Sequence, residues 1–238
     1  MKPYFIKTPI VIQRIFKNYS WRFSTTKSTE KIIYLTFDDG PTPEITAWTL
    51  ATLTKYNAKA TFFCLGKNIE KFPDIFQKII ADRHTIGNHT NNHLNGWKTD
   101  TTAYLKNVLK CEKLISTSLN QATNNDEPTT NHHQLPTNQQ PATNLFRPPY
   151  GRIKPTQAKR LIEKGGKIIM WDVLSADFDQ TISSEKCLDN VLKNTKNGSI
   201  VVFHDSVKAE KHLKFVLPKV LEYFSKKGYR FSSIALPS

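Results

Sequence analysis

Two carboxylates stand side by side at Asp38 and Asp39, closing the apolar, β-branched run in IIYLTFDDGP, residues 32–41. Gly40 and Pro41 turn the backbone away at once, so both side chains sit near the rim of the sheet this strand joins. Successive strand residues point to opposite faces, which lets the two aspartates do different work. Alone the pair is a weak signal, because aspartate at a strand-to-helix turn also serves as a plain N-cap.

A second group strengthens it. His89 and His93 are four apart in GNHTNNH, and if that segment makes one helical turn, both imidazoles face one side, as metal chelation requires. With a strand-end aspartate they form a two-histidine, one-carboxylate set that leaves coordination positions for water and substrate. Three further islands follow: FRPPYG with Arg147, WDVLSADF with Asp177, and VVFHD with His204. Singly they read as a surface cation, a helix cap and a satisfied histidine.

Positioning these groups requires strands, and the chain supplies a repeated strand–helix alternation. Strand-like runs lie at Lys31–Phe37, Ala60–Leu65, His84–Asn88, Asn144–Arg147, Lys167–Val173, Ser199–Phe203 and Tyr229–Ser233. Amphipathic helices are predicted at Glu44–Tyr56, at Ile69–Ala81 and in LPKVLEYFSKKGY, where Pro218 suits a first turn and Gly228 a terminator. The alternation predicts a parallel sheet covered by helices, closed or doubly wound. All five islands fall at carboxyl ends of different strands, which favours a barrel, since an open sheet concentrates its site at one crevice.

The stretch Ser116–Asn144 breaks the pattern. Rich in Asn, Thr, Gln and Pro, it reads as a long, partly disordered loop insertion, with His132 and His133 a solvated pair. Lysine and arginine outnumber aspartate and glutamate 34 to 20, a net +14, but the lysines are spread without a dense run. A solvated lysine-rich surface accounts for that, and no nucleic acid is expected. Cys64, Cys111 and Cys187, widely spaced and odd in number, read as core thiols. In the N-terminal arm, residues 1–30, the patch Ile10–Ile12 is interrupted by Gln13 and Arg14. That is short for an export signal, so a cytoplasmic location is expected, with cell-envelope association open. The arm reads either as a structural element packed on the barrel or as a basic strip making peripheral membrane contact.

TFDDGP, HTNNH, RPPYG, SADF and VVFHD, in this order, resemble the five motifs of the NodB-type polysaccharide deacetylases, carbohydrate esterase family 4. The resemblance runs from about Lys31 to Tyr229. It implies a single-domain α/β fold over residues 31–238, an irregular, TIM-like (β/α)7-8 barrel, acting on N-acetylated amino sugars of a glycan such as peptidoglycan or a chitin-like chain; a monomer is expected. It further implies one divalent metal ion, commonly zinc, on Asp39, His89 and His93. Asp38 would be the general base oriented by Arg147, and His204 the general acid oriented by Asp177. The backbone N–H of Tyr150 would assist at the oxyanion. Trp171, Phe178 and Val202 match positions of the substrate groove and acetyl pocket, although Phe178 replaces the usual tryptophan and Val202 the usual leucine.

The chemistry is self-consistent. A metal with open positions acidifies water and polarises a carbonyl, a carboxylate takes the water proton, and an imidazole near pH 7 protonates the departing amine. A related amide hydrolase on a small substrate and a non-catalytic carbohydrate-binding module are the alternative readings, the latter disfavoured because every proposed catalytic group is present. A non-haem iron oxygenase shares the ligand set but leaves Asp38 and His204 without work.

Overall fold

The computed structural model describes residues 4–23, 30–124 and 144–235. One curled sheet of eight parallel strand segments organises the chain. Its central strand β1 (Lys31–Asp38) lies between β2 (Ala60–Cys64) and β7 (Ile200–His204). Beyond β2 follow β3 (Thr85–Asn88), β4 (Leu145–Phe146) and β5 (Lys167–Ile168); β6 (Val173–Leu174) lies beyond β7, and β8 (Tyr229–Phe231) pairs the start of β1.

The period of two divides the strand residues between two layers. Ile33, Leu35 and Phe37 pack with Phe62, Val201 and Phe203 beneath the helices, Phe37 stacking on Phe62 at 5.0 Å and on Phe203 at 5.9 Å. Tyr34, Thr36 and Asp38 take the other face, inside the curl, where Phe63, Leu145, Ile169 and Ile200 form a second cluster. The curl is tight: β5 and β6 are opposite edges of the sheet, yet only residues 169–172 join them. Five Cα steps reach at most about 18 Å.

This seam corrects the single strand expected over Lys167–Val173. The Ile169 amide still donates to Phe146 of β4, while the Asp172 amide donates to Ile200 of β7, so the chain leaves one edge and joins the other. The N-terminal arm fills the gap between them. Ser20 exchanges backbone bonds with Ile168 and Met170, the Leu174 amide donates to Ile6, and the Thr8 amide to Asp172. The short helix α1 (Ile10–Ile15) lies along the way, with Ile12 against the cluster of Trp21, Phe146 and Met170, while Ile10, Val11 and Ile15 stay exposed. Residues 4–23 of the arm are therefore packed on the barrel as a structural element.

Helix α2 (Ile45–Lys55) falls where the pattern predicts it. The helix expected over Ile69–Ala81 is two, α3 (Gly66–Lys71) and α4 (Pro73–Ala81), because Pro73 disfavours helical backbone at Phe72, which sits at φ −131°. Helix α5 (Thr101–Asn124) overruns the start of the predicted insertion. Ile115 is buried and Leu119, one turn on, packs on the main core, so this apolar pair carries the helix into the polar stretch. Residues 125–143, with His132 and His133, lie outside the described residues. After α6 (Pro155–Glu163) and α7 (Ser184–Asn194), helix α8 (Glu210–Lys226) begins well before Pro218, which is interior and not first-turn. Buried Leu213, Val216 and Leu217 start its apolar face earlier. Among the described residues no helix is long and apolar enough to cross a membrane. All three cysteines are buried free thiols.

Candidate active site

Asp38, the last residue of β1, is buried and receives a 2.7 Å bond from Arg147 Nη1. The guanidinium is itself fully enclosed and makes three further bonds: Nη1 also donates to Thr36 Oγ1, Nε to the Ile169 carbonyl and Nη2 to the Met170 carbonyl, with Cζ 4.1 Å from the Phe63 ring centroid. Such a fixed fork aims one carboxylate oxygen and leaves the other directed at the rim. Burial pushes the Asp38 carboxyl up, but Arg147, His89 and His204 outweigh it, and the group lies below its ordinary value, ionised at neutral pH.

Asp39 follows with φ 80°, in the left-handed region. Strand alternation would send it to the helix-covered face; the left-handed turn brings it back to the same rim as Asp38. His89 Nε2 lies 4.0 Å from Asp38 Oδ2 and 3.7 Å from Asp39 Oδ1, so the two carboxylates share one imidazole as neighbour. Gly40 makes this turn possible. A Cβ there would lie 2.0 Å from Asp205 Oδ2, and the Gly40 amide donates to Asp205 Oδ1 at 3.1 Å. Asp205 also accepts from Thr46 Oγ1 at 2.5 Å, while its own amide donates to the Asp38 carbonyl. Burial, with the Asp39 charge added, pushes Asp205 up to about 8 against its hydrogen bonds from Thr46 and Gly40.

The histidines converge by a different route from the one expected. GNHTNNH leaves β3 as an irregular loop and not a helical turn, with Thr90 at φ 67° and His93 at φ 60°. Asn107 on α5 holds the loop by accepting the amides of Asn91 and Asn92, and the Asn88 side chain donates to the Val108 carbonyl. The rings end 5.2 Å apart. His89 Nδ1 is 2.8 Å from the Arg147 carbonyl, which can only accept, so Nδ1 carries a hydrogen and Nε2 is the nitrogen turned toward Asp39. His93 Nε2 lies 3.3 Å from Asp39 Oδ1, and its Nδ1 is 3.1 Å from the Tyr150 hydroxyl. Burial and the neighbouring His89 push His93 down to about 4, leaving it neutral.

This trio fits a divalent cation. Its three ligand atoms lie within 4.8 Å of one another, and Asp39 Oδ1 is a buried carboxylate oxygen with no hydrogen-bond partner among the described residues. A carboxylate oxygen without a partner facing two imidazole nitrogens, one ring fixed by an outer carbonyl, is a donor set that could hold a divalent metal ion.

On the opposite side of Asp38, at the end of β7, stands His204. Asp177, fully buried, takes the imidazole Nδ1–H at 2.7 Å on one oxygen and the His204 backbone N–H at 2.7 Å on the other. Burial pulls the imidazole down, but Asp177, with smaller help from Asp39 and Asp38, raises it to about 9. Tyr150, at φ 61°, is exposed on the rim with its ring 4.5 Å from that of His93. Trp171 lies under Gly151, where a Cβ would come within 2.8 Å of the indole. Phe178 meets His204 edge to face at 5.2 Å. Val202 is almost wholly buried, two residues before His204 on the same face of β7.

Every site residue predicted from the sequence thus lies on one rim or immediately beneath it. Asp205, Thr36 and Asn107 were missed. For Asp205 the signal was available: a second carboxylate directly after the predicted strand-end histidine.

Fold and site define a class: a curled parallel sheet whose carboxyl rim sets a carboxylate and two imidazoles between an arginine-held aspartate and an aspartate-held histidine. The chain belongs to the polysaccharide deacetylase family, whose model matches residues 25–168. Asp177 and His204 lie beyond that segment. A peptidoglycan-N-acetylglucosamine deacetylase of Bacillus cereus is 33% identical over 225 residues, covering 93% of this chain and 72% of the relative. A chitooligosaccharide deacetylase of Rhizobium leguminosarum bv. trifolii is 29% identical over 183 residues, 77% of this chain and 75% of its own length. The crystal structure of a peptidoglycan N-acetylglucosamine deacetylase in complex with 4-naphthalen-1-yl-N-oxidanyl-benzamide superposes with a TM-score of 0.77 at 29% identity, covering 95% of each chain.

Proposed function

We propose that this chain is a metal-dependent hydrolase that removes N-acetyl groups from glucosamine units of a glycan, peptidoglycan or chitin-like. The observation that carries the reading is the bare Asp39 oxygen facing His89 and His93, flanked by one carboxylate held ionised and one imidazole held protonated. Asp39, His89 and His93 would hold the cation, zinc by preference of the donor set. When bound, it supplies an acidified water and polarises the acetyl carbonyl.

The chain's own residues do the rest. Asp38, aimed by Arg147, takes the proton of the attacking water. Tyr150 offers its backbone N–H to the oxygen that gains charge as the carbonyl carbon becomes tetrahedral. His204, charged through Asp177, delivers its proton to the amine nitrogen so that glucosamine leaves neutral. Trp171, Phe178 and Val202 shape the groove and the acetyl pocket. The Tyr150 ring, exposed on this rim, suits stacking on a sugar face, which supports a glycan over a small substrate.

The test is acetate release from N-acetylglucosamine oligomers and peptidoglycan fragments, with and without a chelator. Release abolished by chelation and restored by zinc is expected; release indifferent to chelation refutes the reading.

A further inference from the structure

The N-terminal arm reaches the site. Tyr4 donates its hydroxyl to Asp179 Oδ2 at 2.6 Å, and its ring meets Phe178 at 5.6 Å in a T-shaped contact. Phe178 in turn meets the His204 imidazole edge to face at 5.2 Å. An unbroken file of side chains therefore runs from the arm, through the groove wall, to the histidine bound by Asp177. Four residues along the arm, the Thr8 hydroxyl donates to the Trp171 carbonyl at 2.8 Å, so the same short segment touches both aromatic residues of the groove.

The contact is built, not incidental. Between Tyr4 and Thr8 the arm is pinned by the Leu174 amide donating to Ile6 and by Lys7, which bonds the buried Asp172 at 2.5 Å and the Asn194 carbonyl at 3.0 Å. Asp179, the acceptor for Tyr4, is itself fixed by Thr181 through its amide at 2.9 Å and hydroxyl at 2.6 Å. The Lys208 ammonium also approaches Phe178, 5.9 Å from the ring centroid. Removing Tyr4 would free the phenyl ring on the arm side and let it swing away from His204.

Resting on the deacetylase reading of this site, we propose that Tyr4 is a positioning residue: it holds Phe178 against His204, fixing the groove wall and the orientation of the imidazole that protonates the leaving amine. The arm is then part of the catalytic apparatus as well as the filler of the barrel seam.

Two measurements test this on the full chain. In the first, the His204 ring is followed by NMR through a pH titration in the wild type, Tyr4→Ala and Tyr4→Phe, with metal absent. Loss of the ring in Tyr4→Ala is expected to move the His204 ring resonances and midpoint, and Tyr4→Phe, which keeps the ring, to restore most of the wild-type behaviour. Unchanged His204 resonances in Tyr4→Ala overturn the proposal, whether or not the protein releases acetate. In the second, steady-state kinetics on N-acetylglucosamine oligomers are expected to show kcat/KM falling about two- to tenfold in Tyr4→Ala, the range of one aromatic pair. The alkaline limb is expected to shift, with metal affinity and thermal midpoint near wild type. A fall that follows metal loss or unfolding in proportion, with the pH profile unmoved, assigns Tyr4 a merely structural role and refutes the proposal. A wild type inactive toward every N-acetyl substrate defeats the deacetylase reading instead, and leaves the NMR result standing alone.

Discussion

Replacing Asp177 by Asn is the sharpest probe of how this site handles protons. The carboxylate is fully buried and makes two 2.7 Å bonds to one residue, the imidazole Nδ1 and the backbone N–H of His204. Asparagine keeps the shape but removes the charge and one of the two acceptors. Burial is the largest influence on His204 and pulls it below its ordinary 6.5; the Asp177 charge reverses this and carries it to about 9. That difference is worth roughly 3 kcal/mol. For a general acid, activity requires the protonated imidazole, so the wild-type rate is expected to fall only as pH rises through about 9. In Asp177→Asn the alkaline limb moves to 6.5 or below, and at pH 8 protonation alone costs roughly thirtyfold in kcat. The deficit shrinks as pH falls through 6.5. The sign for stability is the same: a raised imidazole contributes fully below 6.5 and its contribution is lost as pH climbs toward 9. Urea denaturation of the wild type should therefore lose up to about 3 kcal/mol across that window, and the variant should lack that slope. A pH–rate profile whose alkaline limb stays put in Asp177→Asn refutes the assignment of His204 as the acid tuned by Asp177.

Other outcomes follow from the same geometry. Asp39→Ala is expected to lose the metal and all turnover, whereas Asp38→Asn keeps metal stoichiometry and loses turnover by orders of magnitude; elemental analysis beside acetate release separates the two, and an active Asp38→Asn variant removes the general base. Gly40→Ala places a methyl against Asp205, expected to cost about 1–3 kcal/mol and to lower metal affinity by displacing Asp39, measured by denaturation and by metal titration. A Gly40→Ala protein of wild-type stability and affinity contradicts the reading that the close Gly40–Asp205 approach sets the turn at Asp39.

Much of the site was legible because strand chemistry is local. The run Lys31–Asp38, the turn Gly40–Pro41 and the strand before His204 announce themselves through β-branched residues and turn formers within a few positions. What the residues' own pattern does not show depends on partners far off in the chain. Arg147 meets Asp38 across 109 residues, a pairing that only the family resemblance implied, and Asp205 meets Gly40 across 165, which nothing in the sequence implied. Periodicity says nothing of which conformation such contacts will impose at one residue. His89 and His93 show this best: a four-residue spacing suggests a helical turn, but Asn107 ties the segment into a loop whose left-handed residues bring the rings together. The seam between β5 and β6 was hidden for the same reason, since an apolar run looks identical whether it pairs one neighbour or changes neighbours midway.

The sequence by itself determined the residue types, their order at successive strand ends, and hence a barrel rim carrying a two-histidine, one-carboxylate set. Only the tertiary structure decided that Asp39 turns back at φ 80° to join the histidines, that the Arg147 holding Asp38 is itself fully buried, and that the arm carries Tyr4 to the wall beside His204. The physical reason is that hydrophobic period fixes a face. A left-handed turn, a buried ion pair and an edge-filling arm persist only when the packed surroundings satisfy every polar group they bury.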